Sequence, residues 1–297
     1  MPLDTPPLGS PRPCGPGKVF PIGLGGMLLS IEGRPDRAQA LATVSAALDA
    51  GVTLIDSAAA YHVGADEVGH NESLIAEALA GRDADRGQVT LVTKAGRVRP
   101  GDGRWLTDSS PEYVMRTARE SAKRLGRERI DLFFLHAPDP EVPLGHSLAA
   151  LRTLVDEGVA ATVGVSNVTA DQLGLAHDVL GERLVAVQNE FSPSATQHTG
   201  VLRRAESLGL AFLAWRPLGT VGKRDDALTA AFTEAGRDRG VSPQQAVLAW
   251  LLAASPALIP IPGARRPETI RDSAGAAALE LPADTLRALD RLTGQDA

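Results

Sequence analysis

Apolar residues in this chain fall into short continuous runs, each followed by a longer stretch in which they recur every three or four positions. The runs at 22–27, 52–56, 89–94, 131–136, 159–166, 184–188, 210–215 and 257–261 predict strands. The stretches at 37–50, 72–80, 111–125, 144–156, 169–179, 200–207, 226–239, 242–253, 267–276 and 282–291 predict helices. The runs do not alternate in polarity, as expected of parallel strands buried on both faces. Successive strand–helix units, eight in all, point to the α/β class and to a closed (β/α)8 TIM barrel with an N-terminal cap segment and C-terminal extra helices. A doubly wound sheet is the competing arrangement. It would carry a glycine-rich turn passing straight into a helix, whereas Ile22-Gly23-Leu24-Gly25-Gly26-Met27 opens onto a long loop.

Composition fits that architecture. At 297 residues the chain accommodates one barrel of about 250 residues plus extensions, so residues 1–297 are expected to form a single domain. Residues 1–17 are rich in Pro and Gly and read as a loose arm or a cap over the barrel bottom. A hydrophobic content of 43% and a charged content of 22% allow a sizeable core without covalent staples. The single cysteine, Cys14, can form no internal disulfide, and a reducing cytoplasm is the expected compartment. No signal-peptide pattern opens the chain, and no apolar run approaches the roughly 18 residues of a membrane span. The net charge of −6 argues against nucleic acid or an anionic membrane as partner. What remains is a small-molecule substrate, handled by a monomer or a weak homo-oligomer.

Polar residues at the strand ends carry the candidate chemistry, because active sites of such barrels lie at the C-terminal ends of the strands. The second strand ends in Asp56, the third in Lys94 and the fourth in His136, and Tyr61 follows Asp56 on the next loop. Each has an ordinary alternative: a carboxylate can cap a helix, a histidine can be structural, a tyrosine can be packed aromatic surface. A lysine ending an apolar strand is costly to bury without a partner, and Asp56 on the neighbouring strand is one. Only four lysines and two tyrosines occur in the chain, so their placement is informative. A phenol titrates near 10, and a lysine ammonium beside it is expected to lower that value. Such a set suits proton donation to an oxygen that becomes an alkoxide, with His136 orienting the carbonyl or relaying the proton. It supplies an acid and no reductant, so a cofactor must bring the hydride. The six histidines are scattered with no paired arrangement at a strand end, which speaks against a metal-dependent hydrolase; no metal is expected.

Four segments then resemble the aldo-keto reductase superfamily: Gly51-Val52-Thr53-Leu54-Ile55-Asp56 running on to Tyr61, Asn71-Glu72-Ser73-Leu74, Val92-Thr93-Lys94, and Asp131-Leu132-Phe133-Phe134-Leu135-His136. The resemblance covers nearly the whole chain and is nearest in character to pyridoxal-reductase-like bacterial members. It implies reduction of an aldehyde or ketone, with Asp56, Tyr61, Lys94 and His136 as the catalytic tetrad and Tyr61 as proton donor. It implies NADPH as cofactor, with NADH as the alternative. Ser166 and Asn167 would bond the nicotinamide carboxamide together with Gln188, and Trp215 would stack on its ring. Arg216, Pro217, Leu218 and Gly219 would run under the pyrophosphate. Gly26 and Met27 at the end of the first strand, with Ile261 at the end of the last and Gly263 just past it, complete the cofactor face. Arg265, Thr269, Asp272 and Ser273 would hold the adenosine end, Arg265 meeting a 2′-phosphate at a helix start.

The chain departs from the family pattern at His62, where Gly is usual, at Gly263-Ala264, and at Thr269 and Ser273. Trp105, on the long loop 95–110, is the candidate wall of the substrate pocket, and Arg97, Arg99 and Arg104 beside it could meet an anionic substrate. The implied substrate is a pyridoxal-like or other small aldehyde. The alternatives are a sugar ketone reduced on the same fold, or a non-catalytic NADPH-binding regulatory subunit.

Overall fold

The computed structural model describes residues 9–82 and 87–295. The eight apolar runs become one parallel sheet: β3 (Leu24–Gly25), β4 (Leu54–Asp56), β5 (Thr90–Ala95), β8 (Ile130–Leu135), β9 (Ala160–Ser166), β10 (Leu184–Glu190), β11 (Ala211–Trp215) and β12 (Leu258–Pro260). They pair side by side in chain order from β3 to β12. The seam between first and last closes through a parallel bridge of Gly25 with Gly263 and through Gly23 N–H donating to the Pro260 carbonyl at 2.9 Å. The sheet is therefore a closed barrel, as the sequence predicts. A side chain at Gly25 would press its Cβ to 2.7 Å from the Ile261 carbonyl, so the seam itself demands glycine.

Helices cover the barrel: α1 (Arg37–Asp49), α2 (His70–Leu79), α3 (Pro111–Leu125), α4 (Leu144–Asp156), α5 (Ala170–Leu180), α6 (Thr199–Ser207), α7 (Ala227–Arg237), α8 (Pro243–Ala254), α9 (Pro267–Gly275) and α10 (Ala283–Thr293). Their starts follow capping chemistry. Asp36, Ser110, Thr169, Asp226 and Ser242 each accept a backbone N–H of the first turn, and Pro111 and Pro243 occupy first-turn positions where no donor is missed. Helix α2 opens two residues before the predicted start, because Gly69 at φ 82° turns the chain into it.

Two layers of apolar side chains result. Val92, Leu132, Phe134, Leu213 and Ile259 fill the barrel interior, and a larger set including Phe133, Leu148, Leu173, Phe212 and Trp250 packs the barrel against its helices. Phe134 occupies the space in which a Cβ on Gly164 would sit, 2.3 Å from its ring.

A hairpin of β1 (Arg12–Cys14) and β2 (Gly17–Val19) shuts one end of the barrel, with Cys14 and Val19 joining the interior cluster. Of the segment 1–17, residues 1–8 lie outside the described residues; the part from Arg12 onward is this ordered cap, not a loose arm. Burial pushes the Cys14 thiol up to about 12, so it stays protonated and packs as an apolar group. Arg12 is buried and donates to the carbonyls of Leu252 at 2.6 Å, Leu258 at 2.7 Å and Ser255. Desolvation lowers its guanidinium to about 10. A second hairpin, β6 (Arg97–Val98) with β7 (Leu106–Thr107), rises from the open end directly after β5. No helix among the described residues is long and apolar enough to cross a membrane.

Candidate active site

Asp56, Lys94 and His136 stand at or just past the ends of the adjacent strands β4, β5 and β8, and the loop after β4 folds Tyr61 back over them. Lys94 is wholly buried, and its ammonium donates to Asp56 Oδ2 at 2.7 Å, to the Ser57 carbonyl at 2.7 Å and to the Tyr61 hydroxyl oxygen at 3.2 Å. These three bonds offset a desolvation cost that would otherwise amount to several kcal/mol. Since Lys94 donates into the phenol oxygen, the phenolic proton is left to point elsewhere. The other Asp56 oxygen accepts from Gln188 Nε2 at 2.8 Å.

Burial and the Asp56 charge hold the Tyr61 phenol well above its usual range. The sequence expectation was the reverse, that Lys94 would lower it. Lys94 does lie over the ring, 4.9 Å from its centroid, but desolvation of a buried phenolate outweighs that attraction. The result is a tyrosine that keeps its proton, which is the form a donor needs. Desolvation, reinforced by the positive charges of Lys94 and Arg97, keeps His136 well below the usual imidazole value, so it is neutral. Desolvation also lowers Lys94, against the opposing pull of Asp56. The rings of Tyr61, His136 and Trp105 meet edge to face in a three-sided corner, with centroids 5.8 Å, 6.4 Å and 6.5 Å apart.

This corner opens on a cavity of about 530 Å³ at the barrel mouth. Met27, Trp105, Ser166, Asn167, Gln188, Trp215, Arg216, Pro217, Leu218, Gly219, Ile261 and Gly263 line it together with Asp56, Tyr61 and His136. Gly26 lies behind the lining. Its carbonyl accepts from Asn71 Nδ2 at 2.8 Å, and a Cβ there would come to 2.6 Å from Asn71 Oδ1. Arg265, Thr269, Asp272 and Ser273 lie off the cavity, at the start of α9 and along it. Asp272 accepts from Ser242 Oγ at 2.7 Å and Gln245 Nε2 at 2.8 Å, so both of its oxygens tie α9 to α8. Arg265 is exposed, with no ion-pair partner among the described residues.

The sequence reading did not assign Leu28, Pro262 or Lys223 to the cavity, which they also line. Nor did it give Asn71 a role. Asn71 accepts from Ser57 Oγ at 2.7 Å and donates to Ser30 Oγ at 2.8 Å, pinning the loops after β3 and β4 to α2. The motif around Asn71 was the available signal. His62, where glycine is usual, is buried; its ring bonds the Gly64 carbonyl at 2.7 Å and its own carbonyl accepts from Arg99.

Several features of the lining suit a flat, polar cofactor head. The Asn167 and Gln188 amide nitrogens are engaged inside the protein, by the His136 carbonyl at 2.8 Å and by Asp56, leaving the side-chain carbonyls as acceptors. Trp215 Nε1 and His136 Nδ1 are buried without a partner among the described residues. Asn167 at φ 58° and Arg216 at φ 49° hold left-handed backbone at this mouth, strain of the kind that gathers at ligand clamps. Among the described residues, no group of three His, Cys, Asp or Glu side chains could hold a metal ion.

Residues 21–293 match the sequence model of the Aldo/keto reductase family. The chain belongs to the aldo/keto reductase family. Among its relatives, a 6-dehydroglucose reductase from Novosphingobium aromaticivorans is 35% identical over 270 residues, covering 87% of this chain and 86% of its own. A pyridoxine 4-dehydrogenase from Escherichia coli is 29% identical, covering 92% and 94%. Among solved structures, an aldo-keto reductase from Klebsiella pneumoniae in complex with NADPH superposes with a TM-score of 0.79 at 27% identity, covering 96% of this chain and 95% of its own.

Proposed function

We propose that this protein is an NADPH-dependent carbonyl reductase in which Tyr61 donates the proton. The observation that carries the reading is the Lys94 ammonium, buried between Asp56 and the Tyr61 hydroxyl at the barrel mouth. A nicotinamide, when bound, supplies hydride; the chain's own groups do the rest. Ser166, Asn167 and Gln188 present acceptors for a carboxamide, and Trp215 offers a ring face. Arg216 through Gly219 and Lys223 supply backbone and charge for phosphate. Arg265 at the start of α9 suits a 2′-phosphate, which favours NADPH over NADH.

Tyr61 and the neutral His136 ring converge on the oxygen of a carbonyl held in the aromatic corner. Tyr61 passes its proton to that oxygen as negative charge develops there. Lys94 then stabilises the phenolate left behind, an interaction stronger in the transition state than in the ground state. Asp56 and the Ser57 carbonyl keep Lys94 charged and aimed.

The substrate is a small polar aldehyde or ketone. A pyridoxal-type aldehyde is in accord with the pyridoxine 4-dehydrogenase relative, and a sugar carbonyl with the 6-dehydroglucose reductase relative. The deciding experiment is a panel of aldehydes and ketones, pyridoxal and sugar carbonyls included, with NADPH and with NADH, followed at 340 nm. Turnover with NADPH that drops at least about a hundredfold in Tyr61→Phe, with NADPH still bound, supports the reading. Normal rates in Tyr61→Phe overturn the proton-donor role, and a protein that binds NADPH but reduces no carbonyl is the regulatory alternative.

A further inference from the structure

The cationic side chains that line the mouth cavity occupy two opposite walls, and its lining carboxylate, Asp56, is paired with Lys94. Arg216 and Lys223 come from the segment after β11, and Arg216 is ion-paired with Glu190 at 3.0 Å. Arg97 comes from the hairpin after β5, four places away in the order of an eight-strand barrel and so diametrically across it. It shares its wall with Trp105 and His136, beside Tyr61.

No carboxylate among the described residues pairs with Arg97. Its Nη1 donates to Thr107 Oγ1 at 3.2 Å, which fixes one corner of the guanidinium and leaves the Nε and Nη2 donors uncommitted. A half-buried cation on the wall of a concave, largely aromatic corner is costly unless a counter-charge arrives. The chain as a whole is acidic, with 36 Asp and Glu against 30 Lys and Arg, so an unmet cation at this position is not a product of general composition. Its two neighbours on the hairpin are each committed within the protein: Arg99 pairs with Glu32 and Arg104 with Asp102.

We propose that Arg97 forms a subsite for an oxyanion, carboxylate or phosphate, carried by the substrate itself. The proposal rests on the carbonyl-reductase reading and specifies its substrate class: a carbonyl compound whose reacting group meets Tyr61 and His136 while an anionic group a few bonds away meets Arg97. A planar guanidinium with a free donor edge takes both oxygens of such a group at once, which fixes orientation as well as adding affinity. Cofactor phosphates are served by the opposite wall, so the two anions do not compete.

The test uses matched pairs with NADPH: 4-carboxybenzaldehyde against its methyl ester, and pyridoxal 5′-phosphate against pyridoxal. The charged member of one pair is expected to have a kcat/KM about tenfold or more above its neutral partner, chiefly through KM, since the contact is remote from the reacting bond. In Arg97→Met that ratio falls to about one. In Arg97→Lys, which retains the charge without the fork and guards against a misfolded variant, it lies between. Preference confined to the first pair assigns a carboxylate; preference confined to the second assigns a phosphate. A wild-type ratio near one in both pairs, or a preference that survives Arg97→Met, overturns the subsite and leaves carbonyl reduction standing. Failure of all four compounds to turn over overturns the reductase reading and the subsite with it.

Discussion

Gln188 Nε2 donates to Asp56 Oδ1 at 2.8 Å, a bond that crosses the barrel mouth between β10 and β4, four places apart in the strand order. It completes the Asp56 shell, whose other oxygen holds Lys94. Gln188→Met removes the donor and leaves a buried carboxylate oxygen unmet. The expected cost is about 1–3 kcal/mol of stability, read from the urea midpoint, with a weaker NADPH affinity alongside. A midpoint unchanged from wild type would show that the crossing bond contributes nothing.

Lys94 and Asp56 form a buried pair in which either partner alone is worse than neither. Lys94→Met leaves Asp56 charged and unpaired and is expected to lower stability by about 3–5 kcal/mol. Asp56→Asn with Lys94→Met removes both charges and should recover a large part of that loss, while reduction stays abolished in both variants. Urea titrations of the single and double variants, with NADPH oxidation measured on each, separate the two effects. Full recovery of activity in the double variant would contradict the role given to Lys94.

His136 titrates well below the usual imidazole value in the folded chain because burial and the charges of Lys94 and Arg97 oppose its protonation. In the unfolded chain it takes a proton near pH 6.5. Between that pH and its folded value the unfolded state binds more protons, so stability falls as the pH is lowered through this window. His62, His70 and His198 are also lowered and add to the same slope. His136→Gln should flatten the drop in urea midpoint from pH 7 to pH 5 without removing it. An unchanged slope would mean that His136 is not held neutral. Tyr61 has the opposite sense: its raised value keeps the proton on the folded phenol, so its contribution to stability is lost only as the pH rises beyond the usual phenol range near 10.

Arg99 is 3% exposed; it donates to the His62 carbonyl beside Tyr61, pairs with Glu32 and lies 4.8 Å from the Trp105 ring centroid. It thus ties the pocket wall to the loop that carries Tyr61. Glu32 is half exposed, so the ion pair itself adds little, and the stacking and the carbonyl contact matter more. Arg99→Met is expected to raise KM for the carbonyl substrate about three- to tenfold with little change in NADPH affinity. Equal loss of both affinities would indicate general unfolding of the mouth instead.

The barrel was legible because eight continuous apolar runs leave few other arrangements, and the meeting of Asp56, Tyr61, Lys94 and His136 because polar residues interrupt those runs at one end. The two hairpins leave no signal in the sequence. Their strands, Arg12–Cys14 with Gly17–Val19 and Arg97–Val98 with Leu106–Thr107, are too short to show any period. The shift of Tyr61 was misjudged in direction because sequence reveals a charged neighbour but not the depth of burial around it. The two oxygens of Asp272 hold α8 and α9 together, a role the sequence could not show, because the partners Ser242 and Gln245 lie 30 and 27 residues away in the chain and meet it only in the folded form.

Arg12 bonds carbonyls 240 to 246 residues further along, at the end of α8 and the first residue of the last barrel strand. The residues that close the barrel bottom are therefore synthesised well before their partners. Until β12 has emerged, the hairpin has nothing to cap, and Cys14, Val19 and an unmatched guanidinium must wait in solvent or in the care of a chaperone. The order of synthesis thus sets a late closing step on assembly, one that a circular permutant joining the two ends of this contact would shorten.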